Sequence, residues 1–179
     1  PGMKGKHKVL IMRCDNYDPD RISDIVKEGM EELNVKPYSK VLLKPNVVIA
    51  HPEVFPHAFT RKEFLDGVIS ATVSKSEQVK EIVVGERSGI TLPTRWAFKN
   101  AGYPKVLRKQ KIKACYFDEV KQVPVELKEK KALRNNIFLP KPVIQTDFLI
   151  NLPKIKAHPW CRLTLSLKNF IGIQDDRHR

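Results

Sequence analysis

Apolar runs and helical segments alternate along the first 103 residues, and this order constrains the fold more than any other feature. Three runs have the length and composition of buried strands, and the segment after each carries apolar residues at helical spacing. In chain order, the six segments are 7–14, 18–33, 40–46, 60–75, 80–89 and 93–103. Alternating strands and helices favour a parallel sheet with right-handed crossovers. The sequence therefore predicts an α/β fold with an open, mostly parallel sheet and helices on both faces.

Local signals mark the start of the first two predicted helices. Asp18 is a suitable N-cap, and Pro19 occupies the first helical position, where its missing N–H costs nothing. Thr60 and Glu63 have the spacing of a capping box. These signals support the helices predicted from the apolar spacing.

The second half of the chain predicts shorter strands. Segments 112–118 and 121–128 have the pattern of a strand pair joined by a tight turn, and 147–153 that of a buried strand. Segment 137–145 contains two prolines, which cannot donate to a ladder, so we expect an edge strand. Segment 163–173 fits both a strand and a helix, and we favour the helix. The strands predict a short antiparallel portion beside the parallel sheet.

Length and cysteine usage limit the class of protein. We expect a single α/β domain over residues 7–173, and we exclude the leading Pro1 and Gly2 as an expression remnant. The three cysteines are widely spaced and form no CxxC pair, which favours a reducing, cytoplasmic setting. They supply no complete zinc or iron–sulfur motif, so the sequence identifies no cofactor. No apolar run approaches the roughly 18 residues of a membrane span.

The net charge of +13 favours anionic partners. Nucleic acid, acidic lipid and ligands that carry phosphate or carboxylate all belong to this class. A lysine-rich solvated surface is the alternative explanation of the charge. The most basic run, residues 105–113, lacks the interleaved aromatic residues of an RNA-binding sheet.

Polar side chains follow three of the predicted strands. In an open parallel sheet, ligands bind beyond the carboxyl ends of the strands. The residues at the ends of the strands at 40–46, 80–89 and 147–153 therefore define a candidate site. They are Lys44, Asn46, Glu86, Ser88, Asn151, Lys154, Lys156 and His158. We expect this set to share one edge of the sheet.

The residue types in this set suit an anion. Lysine ammonium groups bind carboxylate and phosphate, so Lys154 and Lys156 are either anion ligands or exposed loop lysines. His158 is either catalytic, a metal ligand or a structural hydrogen-bonding group. The asparagines either contact a ligand or cap their own turns.

Four blocks of the sequence resemble the domain-of-unknown-function family 362. They are VLLKPNVV, EIVVGERSG, FKNAGY, and TDFLINLPKIKAH with TLSLKNFIGI, and the resemblance runs from about residue 7 to residue 173. It implies an α/β domain that is often linked to a ferredoxin-like iron–sulfur segment, and it implies no defined reaction. It adds Lys168 and Asn169 to the candidate residues. The family usually has Asp-Ser-Pro where this chain has Glu86, Arg87 and Ser88, and its domain usually continues beyond LKNFIGI.

The leading hypothesis is an enzyme-type domain that binds a small anionic ligand at the carboxyl edge of its sheet. The anion would be held by Lys44, Lys154, Lys156 and Lys168, with Asn46, Ser88, Asn151 and Asn169 as further contacts. Glu86 and His158 would form the acid–base pair. Redox-linked or group-transfer chemistry is suggested only by the iron–sulfur association of the family. The alternative is a basic nucleic-acid-binding or protein-interaction module without catalysis.

The apolar segment LKNFIGI lies close to the end of the chain and is followed by polar residues only. Since an apolar terminal element normally packs against something, we expect these residues to belong to a longer protein or assembly. An iron–sulfur centre would then come from another segment or chain, because the cysteines here cannot supply four thiolates.

Overall fold

The structure is a computed structural model of the chain, and it describes residues 8–74, 76–89, 92–128 and 136–175. The α-helices are α1 (Pro19–Glu32), α2 (Lys62–Ser74), α3 (Thr94–Asn100), α4 (Tyr103–Gln110), α5 (Lys141–Ile144) and α6 (Ser166–Asn169). The strands are β1 (Ser39–Lys44), β2 (Val79–Glu86), β3 (Lys113–Tyr116), β4 (Gln122–Glu126), β5 (Asn136–Pro140), β6 (Phe148–Asn151), β7 (Lys156–His158) and β8 (Arg162–Thr164). Residues Ser76–Gln78 and Phe170–Ile173 form short 3₁₀ helices.

A four-stranded, all-parallel sheet forms the centre of the fold. Its strand order is β3-β2-β1-β6, and β1 is paired with β2 on one side and with β6 on the other. Two small antiparallel sheets, β4–β5 and β7–β8, lie outside it. Helices flank the parallel sheet. The structure therefore confirms the predicted α/β class with a mostly parallel sheet and a short antiparallel portion.

One face of the sheet packs against α1, α2 and α4 to form the main core. Alternate residues of β1 and β2 point to this face, as expected for the period of two in a strand. The strand residues in the core are Val41, Leu43, Ile82 and Val84, and the helix residues include Ile22, Leu65, Ile69, Val106 and Leu107. The apolar spacing predicted from the sequence for the first two helices is the spacing that this core uses.

The contact between α1 and α2 is close because α2 has a glycine at its centre. A Cβ atom added at Gly67 would lie 2.6 Å from the carbonyl oxygen of Pro19 and 2.7 Å from Cγ2 of Ile22. These separations are shorter than van der Waals contact, so any larger residue would push the helices apart. Helix α1 begins as predicted, with the carboxylate of Asp18 accepting from the N–H of Asp20 at 3.0 Å.

The strand predicted over 7–14 is wrong for the described residues 8–14, which have no regular secondary structure. Val9 and Ile11 expose 82% and 91% of their surface. The edges of the parallel sheet are β3 and β6, and this segment pairs with neither. An apolar run becomes a strand only where a partner strand is present, and composition does not reveal the partner.

The predicted pair of strands at 112–118 and 121–128 is also wrong as a pair. β3 lies beside β2 in the parallel sheet, with Val83 opposite Lys113. β4 instead pairs with β5. Between β3 and β4, the buried ring of Phe117 and the bond from its N–H to the carbonyl oxygen of Glu86 hold the chain to the sheet, so it does not fold back on β3.

Two other segments are divided differently from the prediction. The expected edge strand at 137–145 ends at Pro140, where β5 passes directly into α5. The helix favoured for 163–173 begins only at Ser166, because residues up to Thr164 form β8. No helix of the described residues is long and apolar enough to cross a membrane.

The close contact at Gly67 gives a test of the α1–α2 packing. We expect Gly67→Ala to lower the free energy of unfolding by about 1–3 kcal/mol, the usual cost of overpacking. Gly29→Ala in α1 is the matched control, since its Cβ would lie 3.5 Å from Leu10, an ordinary contact. In a helix interior, replacing glycine by alanine stabilises by about 0.5–1 kcal/mol. Urea unfolding of both variants measures the difference in their free energies of unfolding. Equal stabilisation by both substitutions would contradict the close α1–α2 contact at Gly67.

Candidate functional site

The strand order changes direction at β1, which makes the carboxyl ends of β1 and β6 a topological switch point. From β1 the chain adds β2 and β3 on one side, and β6 then returns to the other side of β1. Lys44 and Asn151 are the last residues of β1 and β6 and lie opposite each other. In open α/β sheets, ligands bind outside the carboxyl ends of the strands at such a topological switch point.

A buried ion pair joins the ends of β1 and β2. Nζ of Lys44 lies 2.8 Å and 2.7 Å from the two carboxylate oxygens of Glu86. The side chains are 0% and 1% exposed. Burial raises the pKa of Glu86, while the charge and hydrogen bond of Lys44 act against that rise. The backbone N–H of Arg87 donates a further bond to this carboxylate at 2.8 Å.

Gly172 covers the ion pair. A Cβ atom at this position would lie 2.1 Å from Oε1 of Glu86 and 3.0 Å from Nζ of Lys44. The 3₁₀ helix Phe170–Ile173 therefore passes directly over the pair, and only glycine leaves room for the carboxylate. The sequence carried a signal for this residue, because Gly172 ends the most specific block of the family resemblance. It was missed as a site residue because glycine offers no chemical group.

Three asparagines form a network next to the pair. Nδ2 of Asn169 donates to Oδ1 of Asn151 at 2.7 Å, and Nδ2 of Asn46 donates to Oδ1 of Asn169 at 2.8 Å. Nδ2 of Asn151 donates to the carbonyl oxygen of Ser166 at 2.9 Å. Asn169 also lies 3.3 Å from the carbonyl oxygens of Lys44 and Pro45. The network thus ties α6 to the ends of β1 and β6.

Thr60 makes two hydrogen bonds at the same edge of the sheet. Its hydroxyl donates to the carbonyl oxygen of Leu152 at 2.8 Å and accepts from the N–H of Asn46 at 2.9 Å. The hydroxyl is therefore not used in the predicted capping box, and α2 begins at Lys62. The hydroxyl of Tyr103 donates to the carbonyl oxygen of Thr60 at 2.6 Å. Sequence reasoning missed both roles, because neither residue follows a strand.

Lys156 is half-buried and its ammonium is held by neutral oxygens. Nζ donates to Oδ1 of Asn46 at 2.8 Å and to the carbonyl oxygen of Ala58. Burial, together with the charges of Lys168 and Lys154 and against the opposing charge of Glu86, lowers the pKa of Lys156 to about 8. A lysine with this pKa is partly unprotonated at neutral pH.

The other two lysines of the site differ from Lys156 in their contacts. Nζ of Lys154 donates to the hydroxyl of Tyr17 at 2.9 Å and lies 5.5 Å from the centre of that ring. Lys168 is half-buried in α6 and lies close enough to lower the pKa of both Lys156 and His158. The charges of Lys154 and Lys168 thus both act on Lys156.

His158 lies on the same strand as Lys156, two residues further along, so both side chains leave the same face of β7. Its Nδ1 accepts from the backbone N–H groups of Trp160 and Cys161, each at 3.2 Å. Burial and the charges of Lys168 and Lys156 lower the pKa of His158. When the imidazole is neutral, its accepting Nδ1 leaves the proton on Nε2, which is then a donor.

Ser88 and the two members of the proposed acid–base pair each have separate hydrogen-bond partners. The hydroxyl of Ser88 donates to the carbonyl oxygen of Leu92, and its N–H donates to Oγ1 of Thr94 at 3.1 Å. Within the described residues, no hydrogen bond joins Glu86 to His158, since the carboxylate is engaged by Lys44. The ligand role of Ser88 and the acid–base roles of Glu86 and His158 stay predictions.

The structure thus brings most of the predicted set together. Direct hydrogen bonds connect two groups, and Lys154, Lys168 and His158 interact electrostatically with Lys156. The connected groups are Lys44 with Glu86, and Lys156 with Asn46, Asn169 and Asn151. Two cavities of about 410 and 290 Å³ lie elsewhere, the first near the amino ends of the strands and the second against the sheet face beside α5.

A metal centre does not fit the part of the chain that the structure describes. There, no group of three or more His, Cys, Asp or Glu side chains is placed to hold a metal ion. Cys14 and Cys161 are exposed and Cys115 is half-buried, and burial raises the pKa of the Cys115 thiol to about 11. An iron–sulfur cluster needs several thiolates in one place, so we derive no chemistry for this chain through such a centre.

Comparison with known proteins identifies the family. A family model described as "Domain of unknown function (DUF362)" matches residues 41–179. The chain belongs to this family. No curated protein and no solved structure matches it. Every candidate site residue lies inside the DUF362 match, and the unpaired segment 8–14 lies outside it.

The Lys44–Glu86 pair gives a test of the DUF362 site architecture. We expect Glu86→Gln to lower the free energy of unfolding by about 3–5 kcal/mol, because it leaves the Lys44 charge buried without a counter-charge. The double variant Lys44→Met with Glu86→Gln removes that charge and should be more stable than Glu86→Gln alone. Chemical unfolding of the wild type, the single variants Lys44→Met and Glu86→Gln, and the double variant measures this coupling. Simple addition of the two single losses would show that the pair is not coupled.

Proposed function

We propose that this DUF362 domain binds a small anionic ligand, bearing phosphate or carboxylate, in the crevice between the carboxyl ends of β1 and β6. The observation that carries the proposal is the environment of Lys156. Among the described residues, its ammonium is bonded to two neutral oxygens and lies beside two further lysines that lower its pKa. An anion in the crevice would relieve this repulsion, and it would gain charge-assisted hydrogen bonds.

The charges of the candidate residues support the same conclusion. The site contains four lysines and one carboxylate, and that carboxylate is already bonded to Lys44. The lysines left to meet a ligand are Lys154, Lys156 and Lys168, with Nε2–H of His158 as a neutral donor. Asn46, Asn151 and Asn169 fix the positions of these groups, while the Lys44–Glu86 pair fixes the strand ends beneath them.

Other parts of the proposal rest on the family resemblance and on composition. These parts are redox-linked or group-transfer chemistry, an iron–sulfur segment as a partner, and a cytoplasmic location. The site offers an amine, an imidazole and a buried carboxylate, which are groups that acid–base chemistry uses.

Inorganic phosphate is the first ligand to test. A ligand that binds only the native state stabilises it by about 2.7 kcal/mol at 100 times Kd. We therefore expect phosphate to raise the melting temperature of the wild type at low ionic strength. Lys156→Met with Lys168→Met should lose most of this shift, with little loss of baseline stability because the two charges repel each other.

Lys105→Met with Arg108→Met is the matched control, since it also removes two positive charges, from exposed positions of α4. This control should keep the phosphate shift. Equal shifts in both double variants would show that the anion binds elsewhere. Binding to nucleic acid with a steep salt dependence and no sensitivity to His158→Ala would instead favour the nucleic-acid-binding alternative.

A further inference from the structure

We propose that Lys156 is a nucleophilic amine that forms a Schiff base with a 2-oxo acid, a ligand that carries a carbonyl group beside its carboxylate. This inference rests on the proposed anion site and gives its ligand a chemical class. The carboxylate of such a ligand would be held by Lys154 or Lys168, and its carbonyl carbon would face the Lys156 amine.

The hydrogen bonds of Lys156 orient its amine for attack on a carbonyl carbon. A neutral lysine amine has two N–H donors and one lone pair. Both donors have acceptors, which are Oδ1 of Asn46 and the carbonyl oxygen of Ala58. With both N–H groups bonded, the amine is held in a fixed orientation. Its lone pair is then left to attack a ligand. Asn46 is itself fixed by its bond to Asn169 at 2.8 Å.

The charges around Lys156 supply the free amine. Lys168 and Lys154 disfavour its protonation and Glu86 favours it, while His158 on the same strand has its own pKa lowered. With burial, these groups hold the pKa of Lys156 at about 8. Burial and a neighbouring cation are the two means by which proteins activate a lysine for Schiff-base formation. In the part of the chain that the structure describes, the exposed lysines lack this combination of burial, fixed hydrogen bonds and neighbouring cations.

The reaction balances without any further reactant. The amine nitrogen attacks the carbonyl carbon, the C=O π bond becomes a hydroxyl group after proton transfer from nitrogen, and the carbinolamine loses water. One C=N bond replaces the C=O bond, and a proton from solvent gives the iminium. Nε2–H of His158 would donate a hydrogen bond to a ligand oxygen, which holds the ligand in place.

Pyruvate and lactate separate binding from reaction, because both carry a carboxylate and only pyruvate has a carbonyl group. The full chain is incubated with pyruvate and cyanoborohydride, and the reduced adduct is located by peptide mass mapping. At pH 7.5 we expect Lys156 to react at least about tenfold faster than the exposed lysines, given their usual pKa near 10.4. The rate should rise with pH through a midpoint close to 8.

Lys156→Arg is the test variant, since it keeps the positive charge and can still donate to Asn46 and Ala58 but forms no imine. It should lose the selective adduct while the melting temperature confirms folding. Lys105→Arg is the control, and it should react at Lys156 as the wild type does.

Stabilisation by both acids with an adduct at Lys156 from pyruvate alone is the expected result. Stabilisation by both acids with no selective adduct would overturn the Schiff-base inference and leave the anion site standing. Absence of stabilisation by phosphate, lactate and pyruvate alike would overturn the anion site and the inference with it. Adducts spread evenly over exposed lysines would also overturn the inference.

Discussion

The buried ion pair of Lys44 and Glu86 is the interaction on which this edge of the sheet depends. Two charges with almost no solvent contact are tolerated only if each meets the other in good geometry. That requirement fixes the ends of β1 and β2 relative to each other and demands glycine at position 172. Asn169 then connects the covering segment to the carbonyl groups around Lys44 and to β6. The strand ends and the chain above them form one connected unit.

Lysine side chains occupy three different environments at this edge of the sheet. Lys44 is fully buried and paired with a carboxylate. Lys156 is half-buried among neutral acceptors, with a pKa lowered to about 8. Lys154 is more open and lies against the ring of Tyr17. Because the Glu86 carboxylate is bonded to Lys44, it does not pair with the other lysines, and this is the reason for proposing an anionic ligand.

The α/β class and the position of the candidate site were predictable, because both follow from segment order and from the rule that parallel strands end at one edge. The pairing of strands from distant segments was not predictable. The run at 8–14 looks like a strand by composition but has no strand beside it, and β4 pairs with β5 instead of β3. The roles within the site were equally hidden. Strand ends identified Lys44, Glu86 and Lys156, yet which lysine meets the carboxylate depends on burial and on Gly172, which periodicity does not report.

The most direct test of this account is an NMR titration of the Lys156 side chain, with ¹³C at Cε, in the presence and absence of inorganic phosphate. Without phosphate, we expect a pKa near 8 for Lys156, below the ordinary lysine value. With phosphate bound, the anion should favour the charged ammonium, and the pKa should rise toward the ordinary lysine value of about 10.4. An ordinary pKa for Lys156 in the free protein, or a low pKa that saturating phosphate leaves unchanged, would contradict an anion site built around this lysine.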